Sequence, residues 1–313
     1  MFVERSLHAQ PNSLASDRLR RAAKRPARRK ERLNMTLILD KIIVPQELPR
    51  VSRTRLLSVL TEGLTCCTSS IICGRAGTGK TMLATDFARR AGRRIAWYKV
   101  DAADASLQVF MQYLLAAVRA QHPGFGRKTL ALLHMTRTAE EAALLAESFV
   151  YEMTMLEAAE PLLLVIDDLH LVYDAEWFVP FFHRLLPLLP TEAHVLLLGR
   201  TLPPAPLWRL RSKQTLHVID EAALLFTQEE AAELLLSYGL YAEASAGILE
   251  ITRGRAAVLD AAAREVSTRH SASASAPATD EPGQLALADE DATAQTRRMS
   301  LRLVKSAKSL RAT

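Results

Sequence analysis

Short apolar runs alternate with segments of helical periodicity along most of this sequence. The runs at 69–73, 95–100, 162–166, 195–198 and 215–219 are mostly apolar, as in strands buried on both faces. Between them lie segments whose apolar positions repeat as on an amphipathic helix, at 53–62, 81–91, 106–120, 138–157 and 176–186. From residue 227 the pattern is purely helical, at 227–238, 242–252 and 256–266. This order predicts an α/β fold, a doubly wound parallel sheet followed by a small helical domain.

A glycine-rich loop lies between the first predicted strand and the next helix. Residues 74–81 match the pattern G-x-x-x-x-G-K-[ST] of a P-loop. Glycine allows such a loop to curl its N–H groups around phosphate oxygens, and the helix that we expect to begin at Gly79 directs its positive end at the anion. Lys80 would place its charge beside the β- and γ-phosphates, and the Thr81 hydroxyl would bind Mg²⁺. The alternative is a glycine turn without a ligand. We assign ATP or ADP binding to Gly74, Arg75, Ala76, Gly77, Thr78, Gly79, Lys80 and Thr81.

Two carboxylates follow the most apolar strand. Asp167 and Asp168 come directly after the run at 162–166, at the strand edge where open α/β sheets bind ligands. Asp167 is predicted to hold Mg²⁺, directly or through water. Asp168 is predicted to orient or deprotonate the attacking water, with an N-cap of the next helix as its alternative role. Arg200 ends the strand at 195–198 and could reach the γ-phosphate, unless it is an ordinary surface arginine.

The net charge of +6 comes from the two ends of the chain. Residues 1–34 carry +7 and residues 297–313 carry +6, which leaves −7 for the middle. The pattern gives four parts: a disordered basic arm at 1–34, a P-loop NTPase domain at 35–222, a helical lid subdomain at 223–267, and a disordered linker and basic tail at 268–313. Met35 is a candidate alternative start. Because the middle is acidic, we expect no sequence-specific DNA binding by this chain alone.

The remaining composition excludes several protein classes. No window has the roughly 18 apolar residues that a membrane span needs, and the N-terminus has no secretory h-region. Cys66, Cys67 and Cys73 crowd into one stretch that suits neither a disulfide framework nor a zinc site. We expect buried, reduced thiols in a cytoplasmic protein.

The order of these motifs and their flanking residues resembles a known family. The resemblance covers about 40–260 and is to the ATPase domain of MalT-like, ATP-dependent LuxR-type transcriptional activators, which are STAND-class P-loop NTPases. It is carried by the segments 42–45, 51–57, 74–81, 95–101, 165–170, 200–204, 208–211 and 226–231.

The resemblance implies further site residues and a switching mechanism. Val51 and Arg53 would lie near the adenine and ribose. The family alternates between a closed ADP state and an open, self-associating ATP state. This chain has Gly254-Arg255-Ala256 where the family usually has Gly-x-Pro. Its length leaves no room for the family's repeat-built sensor and helix-turn-helix, so we expect a stand-alone or truncated module.

We therefore expect an ATP-binding regulatory switch in signalling or transcriptional regulation that hydrolyses ATP slowly. It would need ATP or ADP and Mg²⁺, and it would signal through a partner protein or by self-association in the ATP state. One alternative is an interaction protein that binds nucleotide without hydrolysing it. Another is an AAA+ type, DNA-associated ATPase.

Overall fold

The computed structural model describes residues 37–136, 138–156, 161–213 and 215–274. The basic arm, Met35 and the tail beyond residue 274 lie outside these ranges. Every helix and strand below belongs to the unit Ile38–Thr313.

Five strands form one parallel sheet in the described part of the chain. The strands are β1 Ser69–Cys73, β2 Arg94–Lys99, β3 Leu162–Asp167, β4 Ala193–Gly199 and β5 Leu216–Ile219. The sheet order is β2-β3-β4-β1-β5, with every neighbouring pair parallel. The three central strands, β1, β3 and β4, are buried along their whole length, as parallel strands covered on both faces should be, whereas the edge strands β2 and β5 are buried over about half of theirs. The α/β fold with a parallel sheet is thus confirmed.

Helices connect the strands and continue after the last one. They are α1 Thr54–Cys66, α2 Lys80–Arg90, α3 Leu107–Arg119, α4 Arg127–Leu133, α5 Ala142–Thr154, α6 Phe178–Leu188, α7 Ala205–Trp208, α8 Gln228–Ser237, α9 Ser245–Thr252 and α10 Ala256–Ala274. Helix α4 was absent from the sequence prediction, and α5 begins later than the predicted residue 138. Both α4 and its glycine N-cap, Gly126 at φ 78°, lie in a segment without a long apolar repeat. Helix α10 extends past residue 267, where we had expected the linker to begin.

The two faces of the sheet carry different helices, because neighbouring strand residues point to opposite sides. Trp97 is buried in a cluster with residues of α1 and α2, such as Leu60 and Phe87. The next residue, Tyr98, has its ring 5.3 Å from that of Phe110 on α3. Helices therefore cover both faces, as a doubly wound sheet requires.

A separate apolar cluster joins the helices after β5. It contains Leu234 and Leu235 of α8, Ile248 of α9 and Leu259 of α10, and it also contains Val51 from the segment before α1. The predicted helical lid therefore packs around its own core, to which the start of the sheet region contributes one residue.

The expectation of three buried thiols is wrong for two of them. Cys73 is buried at the end of β1, but Cys66 is exposed and Cys67 is half-buried, because α1 ends at the surface before β1 begins. All three are free. Within the described ranges, no helix is long and apolar enough to cross a bilayer.

Candidate nucleotide-binding site

The glycine-rich loop lies at the carboxyl edge of the sheet, between β1 and α2. Gly77 and Gly79 adopt left-handed conformations, with φ of 78° and 85°, which side chains other than glycine rarely tolerate. Helix α2 begins at Lys80, within one residue of the predicted start, with Gly79 as its N-cap. The first backbone N–H groups of α2 lack helical partners and give this end of the helix its affinity for anions.

Lys80 folds back over its own loop. Its Nζ donates to the carbonyl oxygens of Gly74 at 2.6 Å and Arg75 at 3.0 Å. Burial lowers the pKa of Lys80, while the charges of Asp167 and Asp168 act in the opposite direction. The loop thus holds a desolvated cation that faces two carboxylates.

Thr81 and Asp167 are in direct contact. The Thr81 hydroxyl donates to Oδ2 of Asp167 at 2.9 Å, and the backbone N–H of Asp168 donates to Oδ1 at the same distance. Burial, and then the charge of Asp168, raise the pKa of Asp167 to about 6. No cluster of three His, Cys, Asp or Glu residues that could bind a metal occurs in the described ranges. Mg²⁺ fits this donor set, because it commonly takes one or two protein oxygens together with substrate phosphates and water.

Asp168 has a strained backbone. Its φ of 56° and ψ of 28° are left-handed, a conformation that non-glycine residues keep mainly where the surrounding structure enforces it. It precedes a short 3₁₀ helix, Leu169–Val172. Its side chain makes no capping hydrogen bond to that helix, as the alternative N-cap role would require. Asp168 and the exposed Arg200 instead line the same cavity as Lys80.

His170 is close to these charges but poorly satisfied. Its Nδ1 lies 3.9 Å from Oδ1 of Asp168, and neither ring nitrogen has a hydrogen-bond partner among the described residues. Burial lowers the pKa of His170, against the opposing charge of Asp168. The surroundings of this histidine depend on tertiary contacts, which the sequence does not show.

The loop opens into a cavity of about 570 Å³, within the usual size range of ligand sites. Val51 and Arg53 are among the residues that line it. The position near the adenine and ribose that the resemblance implied for them stays a prediction. The Arg53 guanidinium is engaged: it donates to the carbonyl of Leu224 at 2.8 Å and lies 4.5 Å from the centre of the Phe226 ring. Burial lowers the pKa of Arg53. Arg53 therefore ties this wall of the cavity to the segment that leads into α8.

Helix α10 forms a further wall, which sequence reasoning missed. The N–H of Ala257 donates to the carbonyl of Gly77 at 2.9 Å, and Nη2 of Arg255 donates to that of Ala76 at 3.1 Å. A Cβ placed on Gly77 would lie 3.0 Å from that of Ala257, so glycine is also needed here for close approach. The available signal was the departure from Gly-x-Pro at Gly254-Arg255-Ala256, because Arg255 makes one of these contacts and Ala257, which makes the other, follows directly. The charged lining residues that were not anticipated are Glu47, Arg50, Asp86, Asp260 and Arg264.

Comparisons with known proteins agree with this geometry. Residues 46–198 match the family described as the AAA ATPase domain. The HTH-type transcriptional regulator MalT of Serratia proteamaculans is 32% identical over 202 residues, which cover 61% of this chain and 21% of the relative. MalT of Cronobacter sakazakii is 29% identical over 204 residues, with the same shares covered. The chain thus spans about a fifth of the length of the curated relatives it matches.

Solved structures give weaker similarities. A Walker-type ATPase of Pyrococcus abyssi aligns with a TM-score of 0.46 and 12% identity over 72% of each chain. A RuvB mutant of Thermotoga maritima aligns with a TM-score of 0.46 and 15% identity, over 83% of this chain and 73% of that one. The parallel sheet, the glycine-rich loop and the sequence similarities show a P-loop NTPase fold, and the chain resembles the ATPase domain of MalT-like regulators.

Proposed function

We propose that this chain is an ATP-binding regulatory switch that hydrolyses ATP slowly and acts in signalling or transcriptional regulation. The observation that carries the proposal is a single cavity lined by the P-loop, by Asp168 and Arg200 at the strand ends, and by α10. A nucleotide bound there would contact both the sheet and the helical part, so its phosphates could shift their relative arrangement. The regulatory role follows the relatives named as transcriptional regulators.

Phosphate binding would use the loop and its lysine. The Lys80 ammonium would exchange two neutral carbonyl acceptors for phosphate oxygens, and charge-assisted hydrogen bonds of this kind are about twice as strong as neutral ones. The N–H groups at the start of α2 would bind further oxygens. Thr81 and Asp167 would hold Mg²⁺, which supplies positive charge against the phosphates when it is bound.

Hydrolysis would depend on Asp168. We assign it the role of orienting or deprotonating the attacking water, because its carboxylate lines the cavity and is free of a capping bond. Arg200 would contact the γ-phosphate from the end of β4. The adenine and ribose would lie beside Val51 and Arg53, where Val51 offers apolar contact and Arg53 fixes the wall to the helical part.

Replacement of Asp168 tests this assignment. We expect Asp168→Asn to keep its ATP affinity but to hydrolyse ATP roughly 10²–10⁴-fold more slowly, the usual contribution of a positioned base. ATP affinity is measured by calorimetry and turnover by phosphate release. Asp174→Asn, which removes an exposed carboxylate a few residues further along, is the matched control and should leave both unchanged.

Wild-type turnover separates the alternatives. If the wild type shows no turnover above buffer while it binds ATP, the chain is a non-hydrolysing nucleotide-binding interaction protein. Light scattering measures the mass of the protein in ATP and in ADP, and this mass tests how the switch would signal. A larger mass in ATP supports self-association, whereas an unchanged mass favours a partner protein.

A further inference from the structure

Two adjacent thiols lie side by side where α1 ends. Cys66 is the last residue of α1, and Cys67 follows with an extended backbone, φ −138° and ψ 156°. Their sulfur atoms are 3.4 Å apart, with Cys66 exposed and Cys67 half-buried. Both thiols are free. The pair therefore offers two sulfur ligands to one reagent from the surface.

A disulfide between these two residues is disfavoured. Adjacent Cα atoms are about 3.8 Å apart across a trans peptide, below the roughly 4.4–6.8 Å of unstrained disulfides. Burial and the neighbouring Cys66 also raise the pKa of Cys67 to about 11, and it is the thiolate that attacks during oxidation. The pair should therefore persist as a dithiol.

A transition-metal site of the usual kind is also disfavoured. Structural zinc takes four ligands, and no cluster of three His, Cys, Asp or Glu residues occurs in the described ranges. The nearby His194 ring is occupied, with Nε2 3.0 Å from the Ser70 hydroxyl. The pair of thiols therefore suits a ligand that binds two adjacent sulfur atoms and needs no third protein group.

We propose that Cys66 and Cys67 form a bidentate binding site for trivalent arsenicals. With phenylarsine oxide, two S–H bonds and the As–O bond break, and two As–S bonds form. The oxygen leaves with both protons as water, and arsenic stays trivalent. Two thiols on one backbone bind as a chelate, because the second sulfur attacks at high effective concentration.

The dithiol site is separate from the nucleotide site. Strand β1 lies between them, with the thiols before Ser69 and the P-loop after Cys73. At about 3.3 Å per residue, this strand spans roughly 17 Å. The proposal is therefore independent of the ATPase function.

The test uses the full chain, phenylarsine oxide and intact mass measurement. We expect one adduct per chain that survives washing with 2-mercaptoethanol and is removed by 2,3-dimercaptopropanol. Cys66→Ser and Cys67→Ser should each lose the resistant adduct, and the half-saturating concentration should rise roughly 10²–10⁴-fold as the chelate is lost. Thermal unfolding confirms that each variant is folded.

Cys73→Ser is the matched control, because Cys73 is buried and its thiol donates to the carbonyl of Thr201 at 3.4 Å. It should keep the resistant adduct. The proposal is overturned if the wild-type adduct is removed by 2-mercaptoethanol, or if either single serine variant retains it.

Discussion

Lys80 is a buried cation held by two neutral carbonyl oxygens of its own loop. Such an arrangement leaves the charge incompletely compensated, because burial costs an ammonium group more than neutral acceptors return. An anion in the loop would compensate it. At the scale of single residues, this side chain is therefore where ATP affinity should be most sensitive.

We expect Lys80→Ala to abolish Mg-ATP binding while the protein stays folded. The lost hydrogen bonds to Gly74 and Arg75 should cost about 1–3 kcal/mol of unfolding free energy, which a domain can sustain. Calorimetry measures ATP affinity and thermal unfolding measures stability. Lys128→Ala, which removes an exposed lysine remote from the cavity lining, should bind ATP normally. Unchanged ATP affinity in folded Lys80→Ala would falsify the site.

The strands β1 and β4 share a buried histidine. His194 on β4 is 2% exposed and pairs with Ser70 of β1 through its ring. Burial, and then the charge of Arg93, lower its pKa from 6.5 to about 4. Between these values the unfolded chain binds a proton that the folded chain does not, so unfolding free energy falls as the pH falls.

At the scale of these elements, we expect His194 to make the fold acid-sensitive. From pH 7 to pH 5 this group should remove about 2 kcal/mol of unfolding free energy. Urea unfolding at pH 7 and at pH 5 measures how much unfolding free energy each protein loses between these pH values. The loss in His194→Gln should be smaller than the loss in wild type by that amount. The exposed His183 provides the control, and His183→Gln should lose as much as wild type. If His194→Gln and His183→Gln lose the same unfolding free energy, His194 is not the source of the acid sensitivity.

The molecule as a whole presents an acidic helical region. Glu229 and Glu233 on α8, Glu250 on α9 and Glu243 just before α9 are all exposed. Glu230 differs from its neighbours, because it is buried against Arg53. Exposed acids would repel phosphate, whereas a recognition helix needs base-contacting and phosphate-binding side chains.

We therefore predict that this chain does not read DNA sequence by itself. Its basic ends could give salt-sensitive, sequence-independent attraction. Binding of the full chain to random and selected DNA at physiological salt, with ATP and with ADP, measures the preference. A preference of about 10³-fold or more for one sequence would contradict the prediction and favour the DNA-associated alternative.

Features that depend on residues close together in the sequence were predictable from the sequence alone. The apolar runs gave all five described strands to within two residues, since continuous apolar segments must be buried. The glycine pattern before Lys80 located the P-loop because left-handed turns demand glycine. The position of Asp167 followed from the end of β3. The roles of Asp168, Arg200, Val51 and Arg53 stay predictions.

The walls of the cavity were decided by tertiary structure. Arg255 reaches Ala76 across 179 positions of sequence, and Arg53 reaches Glu230 across 177. No local period encodes such contacts, because they depend on how separately folded helices pack. The same holds for the surroundings of His170, whose ring nitrogens have no hydrogen-bond partner among the described residues. The sequence by itself determined the sheet and the phosphate loop, through burial and backbone geometry. Only tertiary packing decided that α10 closes on that loop, because two distant segments must meet before either can form the wall.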